Sequence, residues 1–260
     1  LVKIFAEAYD GIFTAVHAGR CNRAVTYLNE NALRRDEQEI ISHIEQNLIR
    51  SVLPLVKLSY IRGNVGMHHS ALGAAAVALD DPETTMEWID WIFRSGREVL
   101  EPYRHMTGGD LECILINEVD RDGMGNEASP SYNSIWLRDI KLLADVLAGY
   151  APFSHYDLYN HPKFQKMFTP YHQIVMSRRY IPTIADTGNA GNPGLVEPGM
   201  INDLPLEEGF VRFKNTGLAQ FSWFLHEGDV DRIHLDIFEK DAGRVGEMIR
   251  NEVRRYGEYD

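Results

Sequence analysis

Apolar residues recur at three- and four-residue spacing over 2–16, 37–60, 65–79, 84–103, 130–150 and 163–176, and again over 217–226 and 242–256; this period predicts α-helices. Alternating runs of the kind that make half-buried strands are few. Pro54 should kink the second helix, because a proline ring clashes with the carbonyl four residues back. The run Asp80-Asp81-Pro82-Glu83 reads as a helix stop followed at once by a restart. Between 177 and 215 the pattern disappears: Pro182, Pro193, Pro198 and Pro205 and the glycine-rich stretch GNAGNPG at 188–194 predict a long irregular loop. Helix follows helix at short connections, so the fold class is mainly α. Such hairpins bury their stripes as a bundle or as a ring, and the period alone does not separate the two. No strict repeat aligns, and 1–260 reads as a single helical domain or a fragment of one.

Composition narrows the classes. A chain of 260 residues with 44% hydrophobic content is long enough for a real core, which excludes a disordered or disulfide-dense scaffold. Cys21 and Cys113 fit neither a zinc site nor a redox dithiol by spacing. The longest run of small apolar residues, 73–79, is too short to cross a bilayer. The 38 acidic and 26 basic residues give a net charge of -12, which argues against general binding to nucleic acid or anionic membranes. An anionic substrate therefore needs a locally basic site. The chain starts in helical periodicity without an initiator Met and ends in a charged segment, the expectation for a piece of a longer protein.

Two polar clusters carry candidate chemistry. In DGMGNEASPSY at 122–132, Ser129 is a good N-cap and Pro130 a good first helical residue, which puts Tyr132 on the first turn of a helix. The partial positive charge there favours a phenolate, although a free tyrosine titrates only near pH ~10. Equally, Tyr132 could begin the apolar stripe continued by Ile135, Trp136, Ile140 and Leu143. The second cluster is Arg62-Gly-Asn64-Val-Gly-Met-His68-His69. If this segment is already helical, Asn64 and His68 share a face, and the pair offers an amide donor and an imidazole for a carboxylate. Asn64 could instead be an N-cap. Of the two histidines at most one should point with Asn64, and spacing favours His68.

GNVGMHH at 63–69, DGMGNEASPSY at 122–132 and PTIADTG at 182–188 together resemble the helical part of heparinase II/III-like polysaccharide lyases, a group that includes oligoalginate lyases. The resemblance covers roughly 37–257, with the tyrosine segment its most specific element. It implies an incomplete (α/α) toroid that normally continues into an antiparallel β-sandwich, a domain with no counterpart in this sequence. It also implies that Asn64, His68 and Tyr132 are the catalytic residues, with Glu127 orienting the tyrosine. His69, Arg62, Arg178 and Trp136 would be substrate contacts. No cofactor is required for the reaction, and some relatives carry a structural metal ion near the β domain. The implied partner is an anionic polysaccharide or oligosaccharide, and the implied location is periplasmic or secreted. His234-Leu-Asp236 superficially matches a family histidine and aspartate motif, but a helical pattern follows it where the family has strand.

The residue types fit β-elimination from a uronate. The C5 proton lies alpha to a carboxylate, so its removal builds negative charge that must first be neutralised. Asn64 and His68 would do this, and Tyr132 would take the proton. Arg178 and Arg179 could meet sugar carboxylates, and Trp136 and Trp223 could stack on rings, though solvated arginines and core tryptophans are commoner. Three other readings compete: a toroid glycoside hydrolase with paired carboxylates from Asp122, Glu127 and Asp186; a non-catalytic carbohydrate-binding or scaffold module; and a zinc site from His68, His69, His105 and an acid, for which no clean ligand spacing is present.

Overall fold

The computed structural model describes residues 1–18, 37–94, 99–100, 105–106, 109–127, 129–148, 150–185, 194–195, 204–235, 241 and 243–260. Over these residues the protein is mainly helical. In chain order the helices are α1 (Val2–His17), α2 (Glu37–Ile44), α3 (Val52–Lys57), α4 (Met67–Leu79), α5 (Pro82–Arg94), α6 (Leu111–Asn117), α7 (Pro130–Ala148), α8 (Pro162–Lys166), α9 (Leu206–Phe213), α10 (Thr216–Leu225) and α11 (Arg244–Tyr256). Among the described residues strand is confined to two antiparallel ribbons. β1 (Val99–Leu100) pairs with β2 (His105–Met106), Val99 opposite Met106, and β3 (Tyr180–Ile181) with β4 (Gly194–Leu195), Tyr180 opposite Leu195. Backbone packing sorts the chain into two compact units, one of residues 1–113 and 139–156 and the other of 114–138 and 157–260. Neither is a continuous stretch of chain, so no linker composition announces the division.

In the first unit α4 is the central helix. Ala71, Leu72, Ala74, Ala75, Ala76, Ala78 and Leu79 are all buried, and a helix that is apolar all round belongs in an interior. Helices α1, α3 and α5 pack against it. Gly73 leaves the space that the Leu143 side chain of α7 fills. The stop and restart at 80–83 is as the sequence predicts. Asp80 takes a left-handed φ of 48°, while Asp81 accepts hydrogen bonds from Thr84 Oγ1 at 3.1 Å and Arg50 at 2.6 Å. The Arg50 guanidinium holds the Asp81 carboxyl below its ordinary pKa.

Three predicted helices end differently. The 37–60 segment does not kink at Pro54 itself. Beyond α2 it widens into a π-helical turn, Glu45–Ile49, where the Arg50 N–H reaches back five residues to the Glu45 carbonyl at 2.8 Å. Helix then restarts at Val52. Pro54 sits in the first turn of α3, where its missing N–H leaves nothing unmet, and the break falls at the carbonyl its ring would strike. The 84–103 helix stops at Arg94, with β1 beyond it. The 163–176 helix stops at Lys166, four residues before Pro170, and a 3₁₀ turn at Tyr171–Gln173 follows.

The second unit is built on α9, α10 and α11. Its core holds Phe164, Phe168, Phe210, Leu218, Phe221 and Ile249. Asn215 caps α10 by accepting from the Leu218 N–H at 3.2 Å. Helix α9 falls inside the stretch read as an irregular loop. Its signals, Pro205 before the start, Glu207 and Glu208 in the first turn, and Leu206 and Phe210 one turn apart on the buried side, were outweighed by the surrounding prolines and glycines.

Candidate functional site

The histidine cluster lies in the first unit at the start of α4. Gly66 is the N-cap residue with φ of 92°, a left-handed conformation that glycine adopts freely. Its N–H donates to His69 Nδ1 at 3.1 Å, and His69 Nε2–H donates to the Gly109 carbonyl at 2.8 Å. This pair of bonds assigns the neutral tautomer with the proton on Nε2. Burial pushes the His69 imidazole well below its usual pKa. The neighbouring His68 lowers it further, and the Gly109 carbonyl acts in the opposite direction. His69 is 1% exposed with both ring nitrogens committed to backbone groups, so it closes the helix start and has no atom to offer a substrate.

Asn64 precedes the helix. Its carbonyl accepts the Met67 N–H at 3.0 Å in a tight turn, and the left-handed Gly66 stands between it and α4. The condition under which Asn64 and His68 would share a helical face is therefore not met, nor is Asn64 the N-cap. Both residues are half-exposed, Arg62 is exposed, and the His68 ring lies 4.0 Å from that of His69. The turn is seated on α7: a Cβ on Gly66 would come 2.9 Å from Asp139 Cβ and 3.0 Å from the Ile140 nitrogen. Asp139 is buried and ion-paired to Lys3, a pairing across 136 residues for which the sequence carries no signal.

The tyrosine segment lies in the second unit, and local bonds tie its first half together. The Asp122 side chain accepts the Met124 N–H at 2.9 Å, Asp120 N–H donates to the Met124 carbonyl at 2.7 Å, and Val119 bridges to Gly125. Lys163 and Lys166 donate to the carbonyls of Val119 and Arg121, which clamps the loop to α8. Gly123, at φ of 104°, lies where any Cβ would overlap the Lys166 carbonyl.

Helix α7 begins at Pro130 as predicted, with Tyr132 its third residue. The capping differs from expectation: Ser129 Oγ meets Ser131 Oγ at 2.8 Å, and it is Asn133 that ties the loop down. Its Nδ2 donates to the carbonyls of Glu127 at 2.6 Å and Ser129 at 3.0 Å. Asn133, 3% exposed, was missed; an amide one turn inside a helix start was the available signal.

Tyr132 and Glu127 are half-buried, whereas Trp136, Ile140 and Leu143 form the buried stripe. Trp136 is therefore a core residue and not a ring-stacking surface. At 2% exposure its indole lies against Gly125, where a Cβ would come within 2.7 Å of it. Of the remaining candidates, Arg178 is exposed at a turn of the second unit, where it and Trp223 line one cleft. Asp186 lies outside the described residues, as does Cys21; Cys113 is exposed and free. Among the described residues no group of three or more His, Cys, Asp and Glu side chains could hold a metal ion, and no helix is long and apolar enough to cross a membrane. Comparison of the chain with protein-family models, curated proteins and solved structures finds no match.

Proposed function

We propose that this protein is a polysaccharide lyase of the heparinase II/III-like kind, and that these helices belong to an incomplete (α/α) toroid acting on uronic-acid-containing glycans by β-elimination. The observation that carries the reading is the placement of Tyr132. It is a half-buried tyrosine on the first turn of α7, and the segment before it carries an Asx turn at Asp122 and a hydrogen bond from the Asn133 amide to the Glu127 carbonyl. Among the described residues its hydroxyl makes no hydrogen bond, which leaves it available to a ligand.

In this mechanism Asn64, from the turn before α4, and His68, from its first turn, donate to the uronate carboxylate and neutralise it, a pairing that rests on the family resemblance and not on a shared helical face. The Tyr132 phenolate takes the C5 proton, the electron pair forms the C4–C5 double bond, and the C4–O4 bond breaks. The tyrosine then returns its proton to the departing O4, which regenerates the phenolate and leaves an unsaturated uronate at the new non-reducing end. The elimination calls on no cofactor. A glycan substrate of this kind places the protein in the periplasm or outside the cell.

The full-length protein, given oligomers of alginate, heparin, chondroitin and hyaluronan, should release products with the ultraviolet absorbance of unsaturated uronates. Tyr132→Phe should lower kcat by about 10²-fold or more with an unchanged melting temperature. Asn64→Ala and His68→Ala should each cost about 10²-fold, again in turnover and not in stability. Reducing-sugar release without that absorbance would establish hydrolysis instead, and an active Phe variant would remove Tyr132 from the mechanism.

A further inference from the structure

We propose that a cleft of about 380 Å³ in the second unit binds one pyranose ring of a glycan and reads it through hydroxyl groups, not through charge. The cleft is lined by Arg178, Trp223, Phe224, Glu227, Glu258 and Tyr259; it takes in Arg178 and Trp223, two sugar contacts expected from the sequence, but none of Asn64, His68 and Tyr132. Its volume is at the small end of ligand pockets, which start at about 300 Å³. The lining combines a guanidinium, which only donates, with two carboxylates, which only accept, beside three aromatic rings.

Each simple ligand charge is disfavoured. An added cation would meet Arg178, whose guanidinium already covers the Phe224 ring at 5.2 Å. An anion would meet Glu258 and also Glu227, whose carboxylate accepts from Arg232 at 3.4 Å. A sugar ring satisfies the whole set: its hydroxyls donate to the carboxylates, its oxygens accept from the guanidinium, and its C–H faces lie on aromatic surface.

The aromatic walls are held in place before any ligand arrives. The Tyr259 ring packs 5.2 Å from both Phe221 and Phe224, and its hydroxyl donates to the His172 carbonyl. Gly228, at φ of 75°, brings its backbone against the Trp223 indole, where a Cβ would lie 3.1 Å from Cζ2.

The backbone is also unusual here. At the end of α10 the Gly228 N–H donates to the Trp223 carbonyl at 3.0 Å and the Glu227 N–H to that of Phe224 at 3.2 Å, a helix ending whose left-handed residue is usually glycine. That position is Glu227, at φ of 54°. Across the cleft's other wall Ser177 and Arg178 are both left-handed, at 51° and 52°, in the turn bridged by Met176 and Tyr180. Long charged side chains thus occupy two strained positions on one cleft, the pattern expected where a ligand contact offsets a cost to the fold.

Calorimetric titration of the protein with cellotetraose, maltotetraose and tetramannuronate, with tryptophan emission as a second readout, tests the assignment. At least one neutral oligosaccharide should bind saturably. Arg178→Ala and Glu258→Gln should each weaken it about tenfold, equivalent to one good hydrogen bond. Glu227→Gly should weaken binding while raising the melting temperature, and Tyr132→Phe should bind as the parent does, which separates this site from the lyase reading. The proposal is overturned if no oligosaccharide binds saturably or if both Arg178→Ala and Glu258→Gln bind undiminished. A response confined to tetramannuronate and abolished by roughly 0.5 M salt also overturns it, because that would be charge pairing alone.

Discussion

His69 is a base that the fold keeps uncharged, and this has a measurable cost in acid. Its folded pKa lies well below the ordinary 6.5, so on acidification the unfolded chain takes up a proton that the folded chain refuses. The associated stability is complete above about pH 6.5 and is lost as the pH falls below it. The loss is at most about 1.4 kcal/mol per pH unit while only the unfolded state is protonated. Burial lowers His172 too, and that residue, being partly exposed, adds a smaller contribution of the same sign. Denaturant titrations at about pH 7.5 and 5.5 should show the difference, and His69→Gln should flatten it; an equal slope in the variant would contradict the assignment. Little of this was legible in the sequence, because the role of His69 depends on the left-handed Gly66 and on a carbonyl 40 residues away at Gly109. Tyr132 was easier to place. Ser129 and Pro130 are adjacent to it in the chain, and helix starts are encoded locally.

At the level of elements, the same division between local and distant causes explains what the periodicity predicted. Helices α1, α7, α10 and α11 lie close to their expected bounds, since each is long enough for its stripe to be read and carries its own stop and start. Helix α9 and the β3–β4 ribbon are not legible, because two turns of helix or two paired residues are outvoted by the prolines and glycines around them, whereas β1 falls where the 84–103 period predicts helix. Pro54 was read correctly as a disruption, but the chain resolves it upstream with a π-helical turn. The loop before α7 yields a prediction at this scale. Gly123→Ala would put a methyl group onto the Lys166 carbonyl at a backbone angle alanine resists. It should destabilise the protein by about 2 kcal/mol or more, seen as a lowered melting temperature. Gly11→Ala, at an exposed position inside α1 where nothing lies within 4 Å of the added carbon, is the control and should not destabilise the protein.

For the molecule as a whole, the helical class followed from the period, whereas the division into two units did not, since each is assembled from two separate stretches of chain. Residues 139–156 return to complete the first unit after 25 residues, 114–138, have been given to the second. Ile140, Leu143, Ala144 and Leu147 of α7 are buried parts of that first unit. Burying three such large aliphatic side chains is worth about 1.5–3 kcal/mol apiece, comparable in sum to the whole stability of a domain. A chain cut after Arg138 should therefore lack a cooperative melt and leave the α4 amides open to hydrogen exchange, while one cut after Tyr156 should melt cooperatively and protect them. Equal protection in both would mean that the returning stretch is dispensable. The same interleaving has a consequence during synthesis. The first unit cannot close when its opening 113 residues leave the ribosome, and must wait for Tyr156; by then the start of α7 already belongs to a partner most of which is still to be made. The order in which this protein is translated is not the order in which it can fold.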